Sequence, residues 1–71
     1  MKVMVNNHLY QMNKEQFKGI LKIAKGNVKN GIIAIEKDGV TEMRKDSFSS
    51  NSARKRKVKE FEALGYKVYT S

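Results

Sequence analysis

Two short segments with several apolar residues, Lys2 to Val5 and His8 to Met12, flank Asn6-Asn7 near the start of the chain. Paired asparagines tolerate the positive φ of a tight turn, so a β-hairpin is predicted. With Asn6 and Asn7 as the loop, Met1, Val3, Val5, His8, Tyr10 and Met12 share one face, and Lys2, Met4, Leu9 and Gln11 share the other. The first is the expected core face.

At Asn13 the period changes. Phe17, Ile20, Leu21 and Ala24 follow helical spacing, with Lys14, Lys18, Lys22 and Lys25 mostly on the opposite side. Asn13 and Gln16 have the spacing of a capping box, Met12 is placed to staple against Phe17, and Gly26-Asn27 is the expected stop. Gly19 lies inside this helix at a cost of roughly 1 kcal/mol relative to alanine. A glycine there marks either a close neighbour or a weak point in the helix.

Gly31 to Glu36, rich in isoleucine, reads as a strand that turns through Lys37-Asp38-Gly39 and returns over Val40 to Lys45. Two registers compete. A three-residue loop groups Ile33, Ile35, Thr41 and Met43, whereas a two-residue Asp38-Gly39 loop groups Ile32, Ala34 and Met43; the first is the one expected. The polar connection Ser47 to Ser52 offers several N-caps to a second helix, which carries Val58, Phe61 and Leu64 on one arc and stops at Gly65. Tyr66 is placed to fold back on Phe61, and Lys67-Val68-Tyr69 reads as a final short strand. The predicted fold is thus a small single α+β domain spanning residues 1–71, in the order ββαββα followed by a short β. Its expected architecture is an antiparallel sheet built from two hairpins, with both helices packed on one face.

Charge changes the picture most. Fifteen Lys and Arg against seven Asp and Glu give a formal net charge of +8 on 71 residues. That balance suits nucleic acids, acidic protein faces or anionic membranes. The cations concentrate in Arg54-Lys55-Arg56-Lys57-Val58-Lys59, where a helix is expected to begin and where the helix dipole disfavours positive charge. A bound phosphate backbone would turn this liability into a contact surface. The first half of the helix is accordingly expected to project into solvent, with Arg54 to Lys57 exposed together, while Val58 to Leu64 dock. Arg54, Lys55, Arg56, Lys57 and Lys59 are the principal candidate contacts for DNA or RNA. Arg44 and Lys45 lie on the preceding strand, and Ser50 and Ser52 can offer hydroxyls to phosphate. Lys25 and Lys29 would join the patch if the fold brings them near.

Other chemistry finds little footing. His8 is the only histidine, and a role in acid–base catalysis would need a partner such as Tyr10, Glu15 or a lysine. There is no cysteine, no HExxH, no calcium loop and no phosphate-binding glycine motif. A non-enzymatic protein with no cofactor, metal or small-molecule substrate is therefore expected. The start of the chain lacks the apolar stretch of a signal peptide, and no segment is apolar enough to span a bilayer, so a cytoplasmic protein without membrane contact is expected. The abundance of Asn, Lys and Ile has the cast of an accessory, regulatory protein of a phage or mobile element. A rival expectation is a protein-binding modulator, an inhibitor or assembly factor. It would act without nucleic acid, either by docking an acidic partner or through the face carrying Lys2, Met4, Leu9 and Gln11, with Ile32 and Ala34 or their neighbours beside Met4 and Leu9, for another protein or a homodimer.

Overall fold

Ile32, Ile33, Ala34 and Ile35 are all buried, and consecutive strand residues point to opposite faces, so this strand is covered on both sides. In the computed structural model, which describes residues 1–71, the elements are β1 (Lys2–Val5), β2 (His8–Gln11), α1 (Lys14–Asn27), β3 (Gly31–Lys37), β4 (Val40–Ser47), α2 (Asn51–Ala63) and β5 (Lys67–Thr70). The order ββαββαβ is the expected one. The strands form one five-stranded sheet in the order β2-β1-β4-β3-β5.

The sheet is mixed where an antiparallel one was expected. Both hairpins are antiparallel, but they join through a parallel β1–β4 pairing in which Val3 lies opposite Thr41. The last strand, β5, pairs antiparallel with β3 on its other side. These directions make β2-α1-β3 and β4-α2-β5 two crossovers between parallel strands that move the same way across the sheet, starting from strands of opposite direction. Crossovers of this kind are right-handed. Applied to both, that rule sends the helices to opposite faces, and the contacts agree. From α1, Phe17 meets the edge of Tyr69 at 5.6 Å, on the face that also carries Val3, Ala34, Thr41 and Met43. From α2, Phe61 lies 5.1 Å from the Arg44 guanidinium, on the face of Ile35 and Val68. The expectation of both helices on one face is therefore corrected: β3 is apolar on both sides and takes one helix on each.

The second hairpin adopts the two-residue loop. Asp38 and Gly39 both have positive φ, 52° and 81°, and Lys37 lies opposite Val40. This turn matches the twist of its strands, and it pairs Ala34 with Met43 rather than placing Ile33 and Ile35 with Met43. Further along, Arg44 and Lys45 together oppose the single Ile33. This β-bulge parts the two cations: Arg44 lies against α2, and Lys45 borders the flank of α1.

The helix ends are well marked. The Asn13 side chain accepts from the Gln16 N–H at 2.8 Å, and the Gln16 side chain accepts from the Asn13 N–H at 2.9 Å, completing the predicted capping box. Ser50 caps α2 by accepting from the Ala53 N–H. At the other end of α2, Gly65 has φ +92°, the Tyr66 N–H donates to the Phe61 carbonyl, and the Tyr66 ring stands 5.7 Å from that of Phe61. No helix is long and apolar enough to cross a membrane.

The glycines separate packing from tolerance. A methyl group at Gly31 would run into the Asp46 carbonyl and Val28 Cγ1, whereas nothing lies within 4 Å of one at Gly19. Gly31→Ala is therefore expected to destabilise by about 1–3 kcal/mol through overpacking. Gly19→Ala is expected to stabilise by roughly 0.5–1 kcal/mol. Urea unfolding of the two variants beside the native chain checks both signs.

Candidate nucleic-acid interface

Chain direction decides where the cations meet. The C-terminus of α1 leads into the first residue of β3, which pairs with Ser47 at the end of β4, and α2 begins four residues later. The end of α1, the end of β4 and the start of α2 therefore lie at one end of the sheet. Lys25, Lys45, Arg54, Lys55 and Arg56 are in these segments, and Lys29 is in the connection from α1 to β3. Asp46 is the one acid there, and it accepts from Arg44 Nε at 2.5 Å. Glu15, Glu36, Asp38, Glu60 and Glu62 belong to the start of α1, the β3–β4 turn and the last turns of α2, towards the opposite end. The cationic end is also where polar Ser49, Ser50, Asn51 and Ser52 are exposed.

The residues nominated in the basic helix do not share one environment. Ala53, Arg54, Lys57, Val58 and Phe61 are half-buried, a spacing of i, i+1, i+4, i+5 and i+8 that defines a docked stripe along the length of α2. The expectation that the first half projects with Arg54 to Lys57 exposed together is thus corrected: Arg54 and Lys57 are half-buried on this stripe. Arg54 lies on the stripe and donates from Nη1 to the Ser71 carbonyl at 2.8 Å, tying the first turn of α2 to the end of β5. Lys57 pairs with Glu60 at 3.1 Å and stands 5.3 Å from the Phe61 ring. Long cationic side chains can lie along an apolar surface while their heads stay wet, which is how a basic run is docked. Lys55, Arg56 and Lys59 point outward and are exposed without an acidic partner within ion-pair distance. Lys59 lies a turn further from the cationic end.

Of the supporting groups, Arg44 is the most constrained: it pairs with Asp46 and Glu42 and lies over Phe61, so it braces β4 against α2. Lys45 is exposed beside α1. The Ser50 hydroxyl is engaged as the N-cap, while Ser52 is exposed. Lys25 and Lys29, whose part depended on the fold, are exposed at the cationic end. The free cations gathered here are thus Lys25, Lys29, Lys45, Lys55 and Arg56, with Arg54 beside them.

The surface named for a protein partner is partly open. Since α2 covers β3 and β5, the half of its face over β2, β1 and β4 keeps Leu9 54% exposed, with Met4 and Val40 half-buried beside it. Ile32 and Ala34, grouped with that surface on one expectation, are buried. At the cationic end, His8 is exposed beside the Asn6-Asn7 turn with its ring 6.5 Å from that of Tyr10, while Glu15 lies at the other end of the sheet. No three His, Cys, Asp or Glu side chains are grouped to hold a metal ion. No protein-family model, no curated protein and no solved structure matches this chain, leaving the segregation of charge as the guide to its function.

Proposed function

We propose that this protein is a small non-enzymatic accessory protein that binds nucleic acid through its cationic end. The observation that carries the proposal is the gathering of Lys25, Lys29, Lys45, Arg54, Lys55 and Arg56, drawn from three elements and the α1–β3 connection, where the only acid is already held by Arg44. Such a patch gives the molecule an oriented field. That field steers a polyanion to this end and keeps the acid-bearing end away from it.

The chemistry suits phosphates more than base edges. Lysine ammoniums act as point charges, and the exposed serines and Asn51 can donate to phosphate oxygens. The first turn of α2 contains no acid to neutralise its N–H dipoles, so those dipoles add to the side-chain charge. Both DNA and RNA present the required backbone. The expected binding is dominated by release of counterions and has little sequence preference.

The alternative is a protein-binding modulator seated on Met4, Leu9 and Val40. The exposure of Leu9 favours it, because half of that sheet face has no helix over it.

Fluorescence anisotropy with short duplex DNA, single-stranded DNA and RNA tests the proposal. Six neutralised phosphates give a log–log salt slope of roughly −5 on duplex DNA. Replacing Lys25, Lys29, Lys45, Lys55 and Arg56 together by glutamine is expected to abolish most of the binding. An equal loss of charge at Lys2, Lys14, Lys18, Lys37 and Lys67 should have much less effect. Equal losses from the two sets would show a non-specific response to net charge and defeat the proposal.

Arg54 and Lys55 are expected to separate in their roles. Arg54→Gln removes the bond to Ser71 and should lower stability by about 1 kcal/mol, whereas Lys55→Gln should weaken binding and leave stability within about 0.5 kcal/mol. Urea midpoints read beside binding constants distinguish the two.

A further inference from the structure

The open half of the α1 face combines apolar surface, aromatic rings and positive charge. Five strands spaced about 4.8 Å apart make a face roughly 20 Å wide, and a helix with its side chains is about 10 Å across. With α2 on the opposite side, α1 alone covers its face and leaves the side towards β1 and β2 open. There, a groove of about 470 Å³ lies between the C-terminal half of α1 and the later residues of β1 and β4, walled by Val5, Ile20, Ile23 and Met43. Ile23 is 67% exposed on that wall.

The groove reaches the cationic end, where Asn6, Asn27, Arg44 and Lys45 line it and no acid does. The Arg44 guanidinium is engaged by Asp46 and Glu42 and lies over Phe61, so Lys45 is the free cation of the groove. Lys25 and Lys29 stand two residues to either side of Asn27, and both are exposed. Beside the groove the sheet presents two rings. His8 and Tyr10 lie opposite Val5 and Val3, so both side chains are on the α1 face. His8 is exposed, Tyr10 is 49% exposed, and their ring centroids are 6.5 Å apart.

Exposed rings, an apolar recess and free cations within a few residues of one another match the chemistry of an unpaired nucleotide. Its base offers a flat π-face and its phosphate a negative charge, and the two recur along a single strand. A duplex keeps its base faces stacked inside and presents only phosphates, sugars and base edges. We infer that the open half of the α1 face takes unpaired bases, so that the ligand of the cationic end is a single strand. The bases stack on His8 and Tyr10 and enter the groove beside Ile23, while Lys45, Lys25 and Lys29 meet the flanking phosphates. This inference rests on the proposed binding at the cationic end and deepens it. Apolar walls and rings accept the face of any base, so the surface selects for strandedness rather than for sequence.

Fluorescence anisotropy with a labelled oligothymidine strand, and with an abasic strand of equal length that keeps the phosphates and lacks the bases, is the test. The native chain is expected to bind the thymidine strand about tenfold or more tighter than the abasic one. Tyr10→Ser and Ile23→Gln should each remove much of that difference and leave the log–log salt slope unchanged, whereas Tyr10→Phe should retain it. Lys45→Gln should instead lower the slope by about 0.7 on both strands. Urea midpoints establish that the variants fold, and the comparison of strands needs only the native chain. Equal affinity for the two strands overturns the inference and leaves the cationic end as a site for phosphates alone. So does a folded Tyr10→Ser variant that binds the thymidine strand as tightly as the native chain, or that loses as much affinity for duplex DNA. Absence of binding to either strand, or binding that the five glutamines at the cationic end do not reduce, defeats the proposed function and this inference with it.

Discussion

The two-sided burial of β3 is the constraint on which the remaining structure depends. Ala34 and Ile35 are 0% and 2% exposed and point to opposite faces, so neither face of the sheet can be left to water at that strand. Fully burying a side chain of isoleucine size is worth roughly 1.5–3 kcal/mol. Only nine of 71 residues are buried, so this one strand carries a large share of the core. The chain meets the demand by setting β4 and β5 on either side of β3 and a helix above and below it. The Gly31 position shows how closely the entry to that strand is packed, because the backbone of β4 and the side chain of Val28 occupy the space around it.

Handedness then turns a packing requirement into a charge distribution. Two right-handed crossovers beginning on oppositely directed strands must place their helices on opposite faces, with α1 ending where α2 begins. Residues far apart in sequence, such as Lys25 and Arg56, are thereby brought to one end of the sheet, and most of the acids to the other. The bulge at Arg44-Lys45 refines the arrangement. It commits one cation to bracing α2 and leaves the other free beside α1. The cationic end thus follows from topology as much as from the basic run itself.

One helix on each face leaves both faces half covered. The two uncovered halves differ in kind: the α2 side carries Lys2 and Glu42 among its apolar residues, while the α1 side has Ile23 exposed on a groove bordered by Lys45. At the sheet margin, all four residues of β2 are exposed and the strand contains no proline or glycine to discourage pairing. At the other margin, β5 is secured by Tyr69, which meets Phe17 and donates to Glu36, and by the Arg54 bond to Ser71. The two edges are therefore unequally held, and the β1–β2 side is where a partner would find both open backbone and open apolar surface.

Local patterns were legible in the sequence because their causes are local. The Asn6-Asn7 turn, the Asn13–Gln16 capping box, the return of Tyr66 onto Phe61 and the order of elements each follow from residues a few positions apart. The period of α2 also contained its docked stripe: counting back from Phe61 by four and seven reaches Lys57 and Arg54, which chemical type alone marks as solvent-facing. The sequence by itself determined the elements, their caps and the excess of positive charge. The parallel β1–β4 pairing, the opposed helices, the hairpin register and the division of the basic run into docked and free cations were decided only by the tertiary structure. They depend on which surfaces meet across long sequence separations, and on a crossover hand that becomes definite only once strand order is known.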